Sequence, residues 1–556
     1  MRRYRLAVGL VAVWLAFPRA AAAEAIPVTP DCERVETDWE PQEVEAWKGI
    51  CRHGEAEVSK VASGLDLPKL GAAEAAKIVL KPQFIKTILT QSPYRDYVRG
   101  RGLVIRGAVF EKPLVLTDIS VDGSVSFLDC RFGQRVDIRR SHFSQSVSFV
   151  GSVLEGGIDA RAASTGGSLL LGGSDERWPE SPLRKVPLQS VEAGAAKIGA
   201  ALNLRDAEIP GALGLFGIRI EGGLNITRVH MREVVLSASE IRGQLAIIES
   251  VLRPRPAEVD KGGALYALLN LNFVHASQDV FLSRTQVYGP IQLDGADIGG
   301  GLFMAGGKFG AMSLRRATIK GAFTVGYNVR PTGQQAGVTS WLPDASLDLT
   351  NASIGNLSTH ASLSYWPSSL VLTNFKIGSF DFGLAGAPGA VAETRRGWFE
   401  KWLGLQSAFQ PYSHVRTVLV AAGDDTLAAD VGYAGRDREL AHSLANCEFL
   451  NAIYLGFSKI LIGYGYQMWL PILWMTVIVA VGAMIFRRDG EAKKDIKSGP
   501  DAAFYSADMF LPLLQLRKSH ADVGLEDRTR YYLYFHKVAG WVIGSFLVAG
   551  LSGFTK

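Results

Sequence analysis

Two cysteines near the start of the chain are the residues best placed for covalent chemistry. Cys32 and Cys51 lie in a charged segment, and no second Cys or His pair stands nearby at the spacing of a metal site. In an oxidising compartment two such thiols can form a disulfide, which closes a loop of about 20 residues and stabilises the fold by roughly 3 kcal/mol. We therefore predict a disulfide between them, on condition that this segment is exported.

Beyond that pair, the sequence carries no motif of a known catalytic or metal site. It has no glycine-rich phosphate loop, no G-x-S-x-G, H-E-x-x-H or paired C-x-x-C motif, and its 9 histidines are scattered. Some β-helical enzymes use carboxylates, but no set of carboxylates stands out here, and fold analogy alone carries no function. The sequence favours a protein that is not an enzyme and that needs no cofactor or metal.

A single acid in an apolar stretch is the second chemical candidate. Asp508 is the one charged residue of 502–516, which is too short to cross a bilayer. An acid inside a membrane is usually functional, so Asp508 is a candidate for the lining of a pore. The alternative, which we favour, is a short interfacial or re-entrant helix beside a simple anchor.

A long uncharged stretch before Asp508 predicts a transmembrane helix. Residues 461–486 contain no charge and are long enough to span a bilayer with some tilt. Trp469 and Trp474 are typical of the aromatic belt at a membrane interface. The basic residues that follow, beginning with Arg487 and Arg488, place that end of the helix in the cytoplasm.

A second uncharged stretch lies near the C-terminus. Residues 538–555 include Trp541 and small Gly and Ala positions that suit close helix packing. They predict a second transmembrane helix, and the alternative is a buried helix of a soluble module. The segment between two such spans would be cytoplasmic.

The first 23 residues have the three-part pattern of a secretory signal peptide. Arg2, Arg3 and Arg5 precede an apolar run at 6–17, and alanines at 21–23 stand just before the acidic residue at position 24. The alternative is an uncleaved N-terminal anchor. We predict export, which together with the C-terminal spans indicates the bacterial inner membrane with the folded part in the periplasm.

The middle of the chain repeats with a period of 10 to 11 residues. Apolar residues recur in step at Val280, Ile291, Leu302, Met312 and Phe323. Each is followed two positions later by another apolar residue, at Leu282, Leu293, Met304, Leu314 and Val325. A third apolar position recurs at Val287, Ile298, Phe309 and Ile319. Residues at i and i+2 share one face of a short strand, and a small unit that folds only by stacking on its neighbours is typical of a solenoid.

The half-turns of this repeat resemble the pentapeptide-repeat family, whose loose consensus is A-(D/N)-L-x-x. The matching segments are 202–209 (LNLRDAEI), 293–298 (LDGADI) and 347–354 (LDLTNASI). Most pairs carry one residue more than the family pattern, which gives units of five and six residues. The resemblance implies a right-handed, quadrilateral β-helix.

The C-terminal segment resembles the tail of bacterial membrane-associated pentapeptide-repeat proteins. The matching segments are 463–466 (GYGY), 504–508 (FYSAD), 511–514 (LPLL), 540–541 (GW) and 548–551 (VAGL). This second resemblance implies an architecture and no defined activity.

The predicted organisation is mainly β, with helices at both ends. Its parts are a signal peptide (1–23), a helical N-terminal cap (24–101), the β-solenoid (102–385), a linker (386–397), a helical hairpin (398–460) and a membrane region (461–556) with spans at 461–486 and 538–555 and a short apolar helix at 502–516. The N-terminal helices are expected to cover the first coil, because an exposed terminal coil is an open sheet edge.

Charge and architecture together narrow the class of function. The net charge of +5 is small for 556 residues and gives no reason to expect a nucleic-acid partner. We expect a membrane-anchored envelope scaffold whose partners are membrane lipid and an envelope protein or polymer, with a homo-oligomer as an open possibility. The alternative is a channel-like or transport-associated protein that uses the two-span segment.

Overall fold

The computed structural model describes most of the chain. The described residues are 31–60, 64–173, 185–254, 266–329, 335–383, 393–406, 409–467, 469–511, 517, 520 and 522–551. The predicted signal peptide, 1–23, lies outside them.

Short parallel strands stack into four ladders, and most coils contribute to all four, whereas the second ladder ends one coil early at Ser340–Trp341. The first ladder consists of Leu103–Arg106, Val125–Leu128, Val147–Val150, Leu169–Gly172, Leu202–Arg205, Leu224–Thr227, Leu245–Ile248, Val280–Phe281, Leu302–Phe303 and the C-terminal parts of Thr318–Val325, Ser353–Thr359 and Lys376–Asp381. The second consists of Val109–Phe110, Arg131–Phe132, Val153–Leu154, Val186–Pro187, Ala207–Gly214, His230–Val235, Val251–Leu252, Gln286–Val287, Lys308–Phe309 and Ser340–Trp341.

The other two ladders complete each coil. The third consists of Leu114–Val115, Val136–Asp137, Ile158–Asp159, Val191–Glu192, the C-terminal parts of Ala207–Gly214 and His230–Val235, then Leu269–Asn270, Ile291–Gln292, Met312–Ser313, Ser346–Asp348 and Ser369–Val371. The fourth consists of Ser120–Val121, His142–Phe143, Ser164–Thr165, Lys197–Ile198, Arg219–Ile220, Glu240–Ile241, His275–Ala276, Asp297–Ile298 and the N-terminal parts of Thr318–Val325, Ser353–Thr359 and Lys376–Asp381. These stacked parallel sheets are consistent with the predicted β-helix.

The core of the rod is one continuous column of apolar side chains. All of the periodic residues named from the sequence between Val280 and Val325 are buried. The structure adds a fourth inward position in each half-coil, three residues after the i+2 position, and in one coil Ala207 and Ile218 occupy it. That position is often a small or hydroxylated residue, which is why the apolar pattern of the sequence does not show it.

Two kinds of corner explain the units of five and six residues. One kind carries a residue in the left-handed conformation, such as Asp206 (φ 47°) or Asn351 (φ 58°), a conformation that Asp, Asn and Gly tolerate best. The other kind holds the extra residue. At Gly222 of such a corner, a Cβ would lie 2.5 Å from the carbonyl oxygen of Ala200 in the preceding coil, so glycine permits the close stacking of coils.

Excursions from the rod are shorter than the sequence suggests. Regions around 172–197, 253–276 and 328–344 break the repeat, yet Val186–Pro187 and Leu269–Asn270 already belong to the ladders. In the third excursion, Tyr327–Val329 and Gln335–Val338 form an antiparallel pair outside the ladders.

Helices cover the N-terminal end of the rod. They are α1 (Pro41–His53), α2 (Ala72–Lys77), α3 (Pro82–Thr90) and α4 (Tyr94–Val98), together with a 3₁₀ turn at Leu67–Lys69. The strand Glu55–Glu57 pairs with Val104–Arg106 at the edge of the first ladder. Phe84, Ile85 and Ile88 of α3 are buried in the same core as the first coil.

The C-terminal end of the rod is covered by two helices, α5 (Arg395–Gly404) and α6 (Gln410–Ala421). Trp398 and Trp402 of α5 are fully buried, and Trp402 packs edge-on against Trp366 at a ring distance of 5.5 Å. The linker predicted at 386–397 is therefore shorter at its C-terminal end, because α5 begins at Arg395.

The remaining helices differ in their bounds from the prediction. They are α7 (Asp425–Ala445), α8 (Phe449–Ile462), α9 (Trp469–Arg488), α10 (Gly499–Phe510) and α11 (Asp527–Leu551). The hairpin predicted at 398–460 is a series of four helices. The span predicted at 461–486 begins only at Trp469, because Gly463 (φ 52°) and Tyr464 (φ 58°) adopt left-handed conformations that end α8.

Candidate functional site

A strip of polar side chains runs along the outer surface of the third ladder. Its members, which we call the polar strip, are Asp137, Asp159, Glu192, Asn270, Gln292, Ser313 and Asp348. They point outward because side chains alternate along a strand while their neighbours fill the core. Gly214 and Val235 interrupt the strip on the two coils between Glu192 and Asn270.

Asp159 is the most enclosed acid of the polar strip. Its side chain is 1% exposed and its Oδ2 lies 2.7 Å from Arg161 Nη2 and 2.9 Å from Arg135 Nη2. Burial raises the pKa of Asp159, but the hydrogen bonds from the Arg161 guanidinium and backbone and the charge of Arg135 outweigh burial, so its pKa lies below the ordinary value. This carboxylate is a charged structural group that holds three arginines, including Arg139, in place.

Ion pairs also connect neighbouring coils elsewhere on the rod. Arg140 Nε and Nη2 donate to the two oxygens of Asp118 at 2.7 and 2.6 Å. Arg140 lies 22 residues after Asp118, so this ion pair joins one coil to the next. Arg228 binds Asp206 in the same bidentate way, at 2.7 and 2.8 Å. Each of these bidentate ion pairs neutralises an acid and a base on the surface and ties one coil to the next.

Two exposed phenylalanines flank the polar strip at the corner after the third ladder. Phe216 is 60% exposed and Phe273 is 62% exposed. Their coils are two rungs apart in the ladder, since Leu213 pairs with Val234 and Val234 pairs with Leu269. Two rungs of a sheet measure about 10 Å. Aromatic faces beside hydrogen-bonding groups are typical of interaction surfaces.

The two cysteines predicted to pair are joined by a disulfide in the structure. Cys32 and Cys51 have Cα atoms 5.7 Å apart, and the bond ties the segment before α1 to the end of that helix. Cys130 is buried in the rod, where burial raises the pKa of its thiol to about 12. Cys447 lies exposed at the turn between α7 and α8.

Helices α9, α10 and α11 pack into one unit at the C-terminal end. Gly482 of α9 faces Ser506 of α10 and His536 of α11, and a side chain at Gly482 would collide with both. Past the end of α9, Asp489 Oδ2 accepts a hydrogen bond of 3.1 Å from the backbone N–H of Glu526, just before α11 begins. These two contacts show that α9 and α11 are antiparallel.

Helix α10 enters the groove between α9 and α11 and the chain then returns to the same end. Gly540 of α11 lies against the backbone carbonyl of Phe510 at the end of α10, and Ser506 Oγ donates to the carbonyl of Val479 at 2.8 Å. The predicted apolar helix at 502–516 thus begins earlier, at Gly499, and ends at Phe510, while 512–516 lie outside the described residues. Ala502, Tyr505 and Phe510 of this helix are buried.

Asp508 is paired inside this unit. Its side chain is 1% exposed, and Oδ2 lies 2.8 Å from His520 Nδ1 and accepts a hydrogen bond of 3.3 Å from the backbone N–H of Arg517. Both partners belong to the segment that follows α10, so the Asp508 carboxylate holds that segment against the helix. In a single chain, Asp508 does not face an open path.

The residues proposed from the sequence to anchor the region lie on its outer surface. Trp469 is 59% exposed and Trp541 is 57% exposed, whereas Trp474 donates its indole N–H to the carbonyl of Ile460 at 2.9 Å. Arg487 and Arg488 are exposed at the end of α9.

Three exposed aromatics of α11 were not singled out from the sequence. Tyr531, Tyr534 and Phe535 are 75%, 56% and 63% exposed, near the end of α11 that adjoins the last turn of α9. Their spacing of three and four residues on one helix face is the signal that points to them. The sequence reading placed the second span at 538–555, whereas α11 begins at Asp527 and includes these aromatics.

By length and composition, Trp469–Arg488 is the one helix among the described residues that is apolar enough to cross a membrane. Apolar side chains cover its outer face, and Ile472 and Met484 are 55% and 57% exposed. Both membrane spans stay predictions.

Among the described residues, no three His, Cys, Asp or Glu side chains lie close enough together to hold a metal ion. A cleft of about 310 Å³ lies between α5, α6 and α7. Two of its acids are already in ion pairs, Asp430 with Arg396 at 3.4 Å and Asp437 with Lys459 at 2.8 Å.

Comparison with known proteins bears on the rod. Residues 105–153, the first coils of the ladders, match the family model "Pentapeptide repeats" in nine copies. The match supports a pentapeptide-repeat protein. No curated protein and no solved structure matches the chain significantly. The pentapeptide repeats suggest a β-solenoid that acts as a scaffold for protein interactions.

Proposed function

We propose that this protein is a cell-envelope scaffold, a right-handed quadrilateral β-helix that stands in the bacterial periplasm and is anchored in the inner membrane by α9 and α11. The proposal rests on one observation: the same chain has a polar surface on its rod and an apolar surface on its C-terminal helices. The rod presents the polar strip and its flanking phenylalanines, and the C-terminal unit presents exposed apolar side chains on both antiparallel helices.

The outer surface of the C-terminal unit supports an anchor. Exposed Val477 and Val481 of α9 and exposed Val538 and Val542 of α11 would be costly in water over such an area. Exposed Arg487 and Arg488 stand at the end where α9 finishes and α11 starts, as do the exposed aromatics of α11. Basic and aromatic residues at one end of apolar helices are typical of the cytoplasmic membrane interface.

The rod supports a scaffold more than a catalyst. Its acids are held in ion pairs that stabilise the stacking of coils, as Asp159 and Asp118 illustrate. A rigid rod with a long polar strip offers many weak contacts along one line, which suits an extended partner such as a protein strand or an envelope polymer.

A site-specific photo-crosslinker tests where the partner binds. The label replaces Phe216, beside the polar strip, or exposed Glu208 on the second ladder as the matched control. Irradiation of intact cells should give a discrete adduct from position 216 and none from position 208. Turnover of a sugar or redox substrate by the purified full chain, with no adduct from either position, would overturn the scaffold.

A further inference from the structure

Helix α8 carries an apolar face that nothing in the described chain covers. Its large exposed side chains are Phe449 (70%), Leu450 (87%), Ile453 (65%), Tyr454 (69%), Phe457 (64%) and Ile460 (60%). These positions follow a spacing of three and four residues and therefore form one stripe along the helix. The sequence predicted a helical hairpin at 398–460 and assigned this stripe no role.

The opposite face of α8 packs against α7 and forms polar contacts with it. Leu455 is 2% exposed and Ala452 is 7% exposed. Lys459 Nζ lies 2.8 Å from Asp437 Oδ1 of α7, and Asn451 Nδ2 donates to Ser443 Oγ at 2.7 Å. The polar groups of α8 therefore turn inward to α7, and its apolar groups turn outward.

The exposed stripe of α8 is continuous with the exposed surface of the candidate span. Trp474 of α9 donates to the carbonyl of Ile460 of α8 at 2.9 Å, so the two helices touch where the chain turns at Gly463. Ile472 and Leu473 of α9, 55% and 45% exposed, follow directly. One apolar surface thus passes around the corner from α8 to α9.

We propose that α8 lies in the plane of the membrane interface on the side opposite Arg487, with its apolar stripe inserted among lipid acyl chains. The inference rests on the proposed anchor, because lipid is assigned to α8 through its continuity with α9. A helix that is apolar on one face and tied to protein on the other has the composition of an interfacial helix. With its underside bound to α7, α8 sets the distance and tilt of the rod relative to the bilayer.

Spin-label accessibility in liposomes of phosphatidylethanolamine and phosphatidylglycerol tests this position. The full-length Cys447→Ser chain receives one cysteine at a time: Phe457→Cys or Ile453→Cys on the stripe, Val477→Cys on the span, and Glu221→Cys on the rod. All four positions are surface-exposed, so the fold should tolerate the label. The ratio of oxygen to nickel-chelate collision rates at 457 and 453 should exceed that at 221 several-fold and fall below that at 477.

Each other outcome contradicts the proposal in a distinguishable way. If labels at 457 and 453 collide with the nickel chelate as often as the label at 221, while the label at 477 is in lipid, α8 lies outside the membrane. That result would contradict the position of α8 but not the proposed anchor. Low collision rates with both reagents would mean that protein covers the stripe, and dipolar broadening between labels would identify a second copy. Nickel accessibility at 477 itself would overturn the anchor.

Discussion

At the scale of single residues, Asp159 shows how the rod uses a buried charge. Removing its charge by Asp159→Asn should lower the free energy of unfolding by about 1–3 kcal/mol, because hydrogen bonds from Arg135 and Arg161 and the ion pair with Arg139 lose their ionised partner. Chemical denaturation of the purified chain measures the change. Asp118→Asn, at an exposed ion pair, is the matched control and should show a much smaller effect.

The pH dependence of this effect follows from the lowered pKa of Asp159. A group whose folded pKa is depressed contributes stability above its unfolded pKa and loses it as pH falls through the folded pKa. The difference between the native chain and Asp159→Asn should therefore be full at neutral pH and shrink below the ordinary pKa of 3.8. A difference that grew on acidification would contradict this assignment.

Hydroxyls at the fourth inward position are a second feature of the residue scale. Thr285 is fully buried, and its Oγ1 donates to the carbonyl of Ile247 in the preceding coil at 2.7 Å. Thr285→Val keeps the volume but removes this donor, and should destabilise the rod by about 1–3 kcal/mol in thermal or chemical unfolding. Thr417→Val, whose hydroxyl is exposed on α6, should change stability far less. Equal effects of the two substitutions would show that the inter-coil hydrogen bond contributes nothing.

At the scale of elements, the C-terminal edge of the ladders is closed by side chains from α6 and from the segment just after α5. Gln406 Oε1 accepts from the N–H of Leu372 at 2.8 Å, and its Nε2 donates to the carbonyl of Leu370 at 2.7 Å. His414 binds the N–H of Ile377 at 2.8 Å. These side chains thus bind the backbone N–H and C=O groups of the last coil, which an open sheet edge would otherwise offer to another strand.

Gln406→Leu should open this edge locally. It leaves two backbone groups of the last coil without their partner, so amide exchange of peptides covering 369–377 should accelerate in hydrogen-exchange mass spectrometry. Gln410→Leu, which removes one bond to the exposed Asn374, is the control and should change exchange less. Unchanged exchange in Gln406→Leu would mean that α5 alone protects the edge.

The short helix α10 poses the question of conductance. The Asp508 carboxylate is already bound by His520 and by the backbone N–H of Arg517, so we expect no channel activity from the native chain in planar bilayers. Asp508→Asn should lower the stability of the C-terminal unit without changing conductance. Ser498→Ala, which removes the exposed N-cap of α10, is a control for the fold of that helix. Conductance that depends on Asp508 would favour the channel alternative instead.

The sequence predicted these elements unevenly, for physical reasons. The coils were predictable because inward positions such as Val280 and Leu282 must be apolar and recur in step. The position of Thr285 was not, because its burial depends on a hydrogen bond to another coil. The break at Tyr464 was missed because its neighbours are apolar, and hydropathy does not register a left-handed turn.

At the scale of the whole molecule, the arrangement of surfaces predicts which side of the membrane each part faces. The four cysteines make this testable with little engineering, since Cys32 and Cys51 form a disulfide. Cys130 is buried and the pKa of its thiol is raised to about 12, so it forms little of the reactive thiolate. Cys447 is exposed and is the native thiol free to react.

A membrane-impermeant maleimide should therefore label Cys447 in intact spheroplasts, and Cys447→Ser should abolish the label. In that background, Lys493→Cys places an exposed thiol between α9 and α11, where the proposed topology puts the cytoplasm. It should react only after the membrane is opened with detergent, because the reagent cannot cross the bilayer. Labelling of Lys493→Cys in intact spheroplasts, together with no labelling of Cys447 in the native chain, would invert the topology and place the rod in the cytoplasm. In that case the disulfide would stand in a reducing compartment, so free thiols at Cys32 and Cys51 should accompany such a result.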